Sequence, residues 1–178
     1  QNIFTNINLV LKNSKFNNSC CTGFVWSGGS GVYATNCQFN SNGIYPFVTW
    51  DASGMLIESF NILNPSAHGS FYNCEFKLNY RSGVLSNIAA GQEDFTFERC
   101  LFVGSESGPA TVDGQTSNLN ARYVSYTCCD FYGPMSIVYD APISFNNLND
   151  WETRFRSCSF NEEYIVNGIT YSFTSDCI

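Results

Sequence analysis

The apolar positions of this chain repeat one spacing along most of its length. In Phe95-Thr96-Phe97-Glu98-Arg99-Cys100-Leu101-Phe102, the residues that would face an interior fall at steps of two, three and two. A step of two is the period of a strand with one buried face. The step of three adds a corner residue and leaves the next short strand facing the same interior. The quartet recurs as Leu9, Leu11, Ser14, Phe16, then as Val32, Ala34, Cys37, Phe39, then as Met55, Ile57, Phe60, Ile62. It returns as Gly69, Phe71, Cys74, Phe76, as Val124, Tyr126, Cys129, Phe131, and as Thr153, Phe155, Cys158, Phe160.

The closing residues Phe16, Phe39, Ile62, Phe76, Phe102, Phe131 and Phe160 lie 23, 23, 14, 26, 29 and 29 residues apart. Unequal spacing suits a coiled repeat whose core strands stay in register while insertions fall in loops. Second apolar strands are expected at Phe24-Val25-Trp26, Ile44 to Val48, Gly83-Val84-Leu85, Ala110-Thr111-Val112, Ile137-Val138-Tyr139 and Tyr164-Ile165-Val166. The 14-residue interval has none and is expected to be irregular. Turn-forming clusters such as Ser27 to Gly31 and Gly104 to Gly108 separate the strands. No window sustains helical periodicity, so a parallel sheet with helical crossovers is not expected. The pattern predicts an all-β chain, a single parallel β-helix over residues 1–178 with about seven turns. At about 4.8 Å per turn, it would be roughly 30 Å long.

The corner position is occupied by Asn13, Asn36, Ser59, Asn73, Arg99, Cys128 and Ser157. Asn tolerates the left-handed backbone of a tight corner, and stacked carboxamides can bond from turn to turn. A partial Asn ladder is expected there.

Phrases such as Asn36-Cys37-Gln38-Phe39-Asn40-Ser41-Asn42-Gly43 and Asn73-Cys74-Glu75-Phe76-Lys77-Leu78-Asn79 resemble coils of right-handed parallel β-helix proteins. The pectin-lyase-like superfamily is similar, as are the repeat regions of polymorphic outer-membrane proteins and protist surface proteins. Those surface families use Phe-x-x-Asn repeats, matched here by Phe39 with Asn42 and Phe76 with Asn79. The resemblance implies a right-handed solenoid and a place outside the cell or on its surface.

Composition narrows the function classes. Apolar residues make up 44% of the 178 residues and aromatics 16%, but charged residues only 13%, which suits an all-β protein with polar, uncharged loops. The net charge of −7 opposes nucleic-acid binding, which needs a basic face. No apolar run approaches the roughly 20 residues of a membrane-spanning helix, so no membrane span is expected.

Candidate chemistry centres on the nine cysteines. Cys37, Cys74, Cys100, Cys129 and Cys158 share one repeat position, so they are expected to line the interior beside the Phe16, Phe39, Phe76, Phe102, Phe131 and Phe160 ladder. Buried thiols behave there as small hydrophobes. Strand spacing would also permit cross-links between some of them. Cys20, Cys21, Cys128 and Cys177 lie off the column and are the better disulfide candidates, and an odd total leaves at least one unpaired within the chain. No Cys-x-x-Cys pair and a single His, His68, argue against a structural zinc site. His68 is expected to decorate a loop. No metal or cofactor is expected.

Glycoside cleavage needs two carboxylates at a defined separation. Here Asp51, Asp94, Asp113, Asp130, Asp140, Asp150 and Asp176 are scattered through the repeat. Glu75 and Asp130 share an outward position, but with Leu101 between them, and are expected to be solvated surface charges. Asn17-Asn18-Ser19 offers one N-glycosylation acceptor, Asn17.

Together these features predict a non-catalytic, extracellular or cell-surface structural or adhesive module, with no catalytic, cofactor or metal residues. No capping helix is visible at either end, so the chain is expected to belong to a longer solenoid or to associate with itself, stacking into a filament. The alternative is a polysaccharide-binding or polysaccharide-cleaving domain, with Trp26, Tyr45 and Trp50 as sugar-stacking aromatics. A third is a tailspike-like receptor binder. The partner in either case would be a glycan or a cell-surface ligand.

Overall fold

The computed structural model describes residues 8–27, 31–43, 54–59, 68–79, 83–88, 93–104, 112–114, 121–132, 138–139, 152–161, 163–166 and 168–172. They form strands, bridges and tight corners without helix. In chain order the strands are β1 (Asn8–Lys12), β2 (Phe24–Ser27), β3 (Gly31–Thr35), β4 (Met55–Ser59), β5 (His68–Tyr72), β6 (Glu75–Lys77), β7 (Val84–Ile88), β8 (Glu93–Glu98) and β9 (Leu101–Val103). They continue with β10 (Val112–Gly114), β11 (Ala121–Thr127), β12 (Asp130–Tyr132), β13 (Val138–Tyr139), β14 (Glu152–Arg156), β15 (Ser159–Asn161), β16 (Glu163–Val166) and β17 (Ile169–Ser172).

Three parallel sheets take these strands in turn. The first has the order β1-β3-β5-β8-β11-β14, the second β13-β10-β7-β4-β2 and the third β15-β12-β9-β6. Bridges from Lys15 to Gln38 and from Gln38 to Glu75 extend the third toward the N-terminal side. The chain leaves the first sheet for the third, then joins the second, and returns to the first one strand further along. Among the described residues, only β16 and β17 pair antiparallel, as a hairpin turning at Gly168.

Six of the seven quartets stack in the expected register. Leu9 pairs with Val32, Val32 with Gly69, Gly69 with Phe95, Phe95 with Val124, and Val124 with Thr153. Phe76, Phe102, Phe131 and Phe160 pair in the third sheet. The exception is Met55, Ile57, Phe60, Ile62. Met55–Ser59 lies in the second sheet between β2 and β7, so it is the second strand of the Phe39 pass and not a pass of its own. Period-two alternation cannot tell one half-buried strand from another. Ser59 sits inside that strand instead of at a corner, and Phe60 and Ile62 lie outside the described residues. Among the described residues the count is therefore six passes, with 37 residues from Phe39 to Phe76. Tyr164-Ile165-Val166 is likewise no second-sheet strand, because β16 folds onto β17.

The corner chemistry matches its composition. Asn13, Asn36, Asn73, Arg99, Cys128 and Ser157 all have positive φ, between 50° and 55°. The Asn36 carboxamide donates to Asn13 Oδ1 at 3.1 Å, and Asn73 donates to Asn36 Oδ1 at 2.9 Å. A second left-handed corner follows at Asn18, Ser41 and Leu78. It turns the chain into a row that includes the buried Asn42 and Asn79.

Side chains from all three sheets meet in one hydrophobic core. Two columns of rings run through it. Phe16, Phe39, Phe76, Phe102, Phe131 and Phe160 stack with centroids 5.0–5.2 Å apart and planes within 13° of parallel. Phe71, Phe97, Tyr126 and Phe155 form the second column at 4.8–5.1 Å. Within each of the four passes that carry both rings, the two meet edge to face, as Phe97 does with Phe102 at 75°. Centroid spacings near 5 Å repeat the distance between strands, so backbone pairing and ring stacking reinforce each other. The column ends are less enclosed. Phe16 and Cys158 are half-buried, and Phe160 is 56% exposed.

Candidate functional site

The cysteine column is built for packing. Cys37, Cys74, Cys100 and Cys129 are buried. Each column thiol donates to the carbonyl two residues before it, as Cys100 does to Glu98 at 3.4 Å and Cys37 to Thr35 at 3.3 Å. Most also reach a carbonyl of the preceding pass, as Cys100 does with Phe71 and Cys129 with Phe97, both at 3.4 Å. Ser14, at this position in the first pass, donates its hydroxyl to Lys12 O at 2.8 Å. The position thus selects a small donor that satisfies corner carbonyls. Burial pushes the Cys100 thiol far above the ordinary thiol range, and burial also raises Cys37 and Cys158. Off the column, Cys20 and Cys128 are exposed free thiols, and Cys177 lies outside the described residues.

The outward face of the third sheet carries the acids. Glu75 forms an ion pair with Lys77 at 2.7 Å and accepts from Asn40 Nδ2 at 3.2 Å. Asp130 Oδ1 accepts from the Ser159 hydroxyl. In the backbone register Leu101 stands between Glu75 and Asp130. Two strand spacings put their backbones about 10 Å apart. Among the described residues, no three His, Cys, Asp or Glu side chains come together as a metal cage. Asn17 is engaged: its Oδ1 accepts from the Asn40 backbone at 2.9 Å.

The outward face of the first sheet holds a cluster that sequence reasoning missed. His68 is the first residue of β5, not part of a loop, and its Nε2 is hydrogen-bonded to the Tyr33 hydroxyl. The two rings meet edge to face at 5.4 Å. Gly31 makes room for the imidazole, since a Cβ there would come within 2.6 Å of Nε2. Tyr33 pairs with Ser70 and Thr35 with Tyr72, so small Ser70 is flanked by Tyr33, His68 and Tyr72. Tyr33 and Tyr72 are 36% and 38% exposed, and the Arg99 guanidinium lies 5.8 Å from the Tyr72 ring centre. Asp94 follows His68 in the backbone register. An exposed aromatic pair beside an imidazole and a guanidinium can stack a flat apolar face and hydrogen-bond polar groups around it.

Of the aromatics expected to stack sugars, Trp26 instead packs against the hydrophobic core. Tyr45 and Trp50 lie outside the described residues. No described helix is long and apolar enough to cross a membrane. Compared with family models, curated proteins and solved structures, the chain matches none.

Proposed function

We propose that the chain is a right-handed parallel β-helix of the kind found in the pectin-lyase-like superfamily, serving as a non-catalytic structural or adhesive module outside the cell or on its surface. The observation that carries this reading is the parallel register linking six passes, with one ring column through all six, a second through the last four and an Asn ladder through the first three. From β1 to β15 the sheets are visited in one order, first, third and second, as windings of a solenoid require. Parallel crossovers are right-handed in about 98% of cases. The interior is devoted to packing. Outside, Glu75 is neutralised by Lys77 and separated from Asp130 by Leu101, which favours a scaffold over a hydrolase.

Self-association end to end is part of the proposal. Phe155 and Phe160, at the end of the ring columns, are 39% and 56% exposed. Stacking β1 of one copy beside β14 of another in the same register would bring Lys12 next to Arg156, because both occupy one outward row. That repulsion is screened by salt, so assembly is expected at high ionic strength. Negative-stain imaging with small-angle scattering at low and high salt tests it. Filaments or rods of several chain lengths at high salt support it, and compact monomers at both overturn self-association.

The second reading is glycan binding on the first sheet, favoured by the Tyr33, His68, Tyr72 and Arg99 cluster. Affinity electrophoresis in polysaccharide gels tests it. Retardation lost in Tyr72→Ala supports the reading, and equal migration of both proteins with and without polysaccharide overturns it.

A further inference from the structure

Cys20 and Cys21 are adjacent in the chain, and their Sγ atoms lie 3.6 Å apart. Cys20 is exposed and Cys21 half-buried, so the pair is open to a reagent from one side. The loop that carries them is tied to the next pass. The Ser19 backbone nitrogen donates to Asn42 Oδ1 at 3.0 Å, and Gly43 donates to Ser19 O at 2.9 Å. Cys21 in turn donates its backbone N–H to Ser19 Oγ at 3.3 Å. The two thiols are thus presented from an anchored backbone. Cys37, Cys74, Cys100 and Cys129 of the column differ, being sunk in the core with their thiols directed at carbonyls. Cys128 differs too, standing at an exposed corner with its own backbone held by Arg156 O.

We infer that Cys20 and Cys21 form a redox-responsive dithiol that closes into a disulfide between neighbouring residues on reaction with a small-molecule disulfide. The Cys20 thiolate, the more accessible, attacks one sulfur of the oxidant; the oxidant's S–S bond breaks and one small thiol leaves with a proton. The Cys21 thiolate then attacks Cys20 Sγ and displaces the second small thiol. Two S–H bonds are lost, one Sγ–Sγ bond forms, and the two electrons reduce the oxidant to two thiols. Ring closure shortens the present 3.6 Å separation to a bond of about 2.05 Å. It also stiffens the segment whose Ser19 anchors the Asn42 row. The inference does not depend on the proposed scaffold or glycan-binding role.

The experiment incubates the folded full chain with oxidised glutathione, blocks remaining accessible thiols with N-ethylmaleimide, and maps chymotryptic peptides by mass. In the wild type, the peptide from Asn17 to Phe24 should lose the mass of two hydrogens and carry neither maleimide nor glutathione. Cys21→Ser should instead trap glutathione on Cys20, and Cys128→Ser should leave the wild-type result unchanged. A stable glutathione adduct on wild-type Cys20, or a link from Cys20 or Cys21 to Cys128 or Cys177, overturns the proposal. Circular dichroism of each variant establishes that the fold is kept, since both substituted thiols lie outside the buried column.

Discussion

Asn42 donates to a single oxygen of Asn79 twice, through its backbone nitrogen at 3.1 Å and its side-chain nitrogen at 3.0 Å. Asn79 in turn donates its own carboxamide to Phe39 O at 2.7 Å. Both residues are almost wholly buried. Replacing Asn79 with Leu would keep the volume but strand the Asn42 N–H and the Phe39 carbonyl away from water. Asn79→Leu is expected to destabilise the chain by about 3 kcal/mol, measured by urea unfolding, because each orphaned buried group costs about 1–3 kcal/mol.

Beside this row runs a file of glycines. A Cβ on Gly54 would lie 2.6 Å from Gly83 O and 2.8 Å from Asn79 Nδ2. One on Gly168 would meet nothing within 4 Å, although its φ of +78° strains any side chain. Gly54→Ala must therefore push backbone against backbone and is expected to cost about 3 kcal/mol. Gly168→Ala should cost about 1 kcal/mol, the strain alone. Thermal unfolding of the two variants side by side checks the difference.

The Cys100 thiol gives a dependence on pH. Burial raises it in the folded chain, so the unfolded chain releases this proton first as pH rises. Its contribution is fully present below the ordinary thiol value near pH 8.5 and declines above it, by up to about 1.4 kcal/mol per pH unit. Cys100→Ser keeps a donor like that of Ser14 but does not ionise. The stability difference, wild type minus Cys100→Ser, is expected to fall between pH 8 and 10 and to stay level between pH 6 and 8, read from denaturant midpoints.

Cys128 holds a left-handed corner with φ of 53°, in the row where Asn13, Asn36 and Asn73 stand. Asn adopts this backbone at lower cost than Cys. Cys128→Asn is expected to raise stability by about 1 kcal/mol, seen as a higher unfolding temperature without change in the far-ultraviolet spectrum.

The stacking of the passes was legible because the corner imposes two demands at once. Asn36-Cys37 and Asn73-Cys74 each show a residue suited to a left-handed backbone followed by a small donor facing inward. Met55 was misplaced because its alternation carries only the first half of such a signal. The missing cue was the preceding glycine: Gly23, Gly54 and Gly83 each stand before a strand of the second sheet. The Tyr33, His68 and Tyr72 cluster was not legible for another reason. Outward residues obey no core periodicity, and Tyr33 meets His68 only because β3 and β5, far apart in the chain, pair in register.

The parallel ladders of the first sheet, each strand hydrogen-bonded to the next pass, make the molecule mechanically anisotropic. Tension along the strands has to shear a whole row of bonds together, whereas tension across the strands peels one strand after another. Resistance to force would then be set by the direction of loading, and any tether to a neighbour would hold best when pulled sideways.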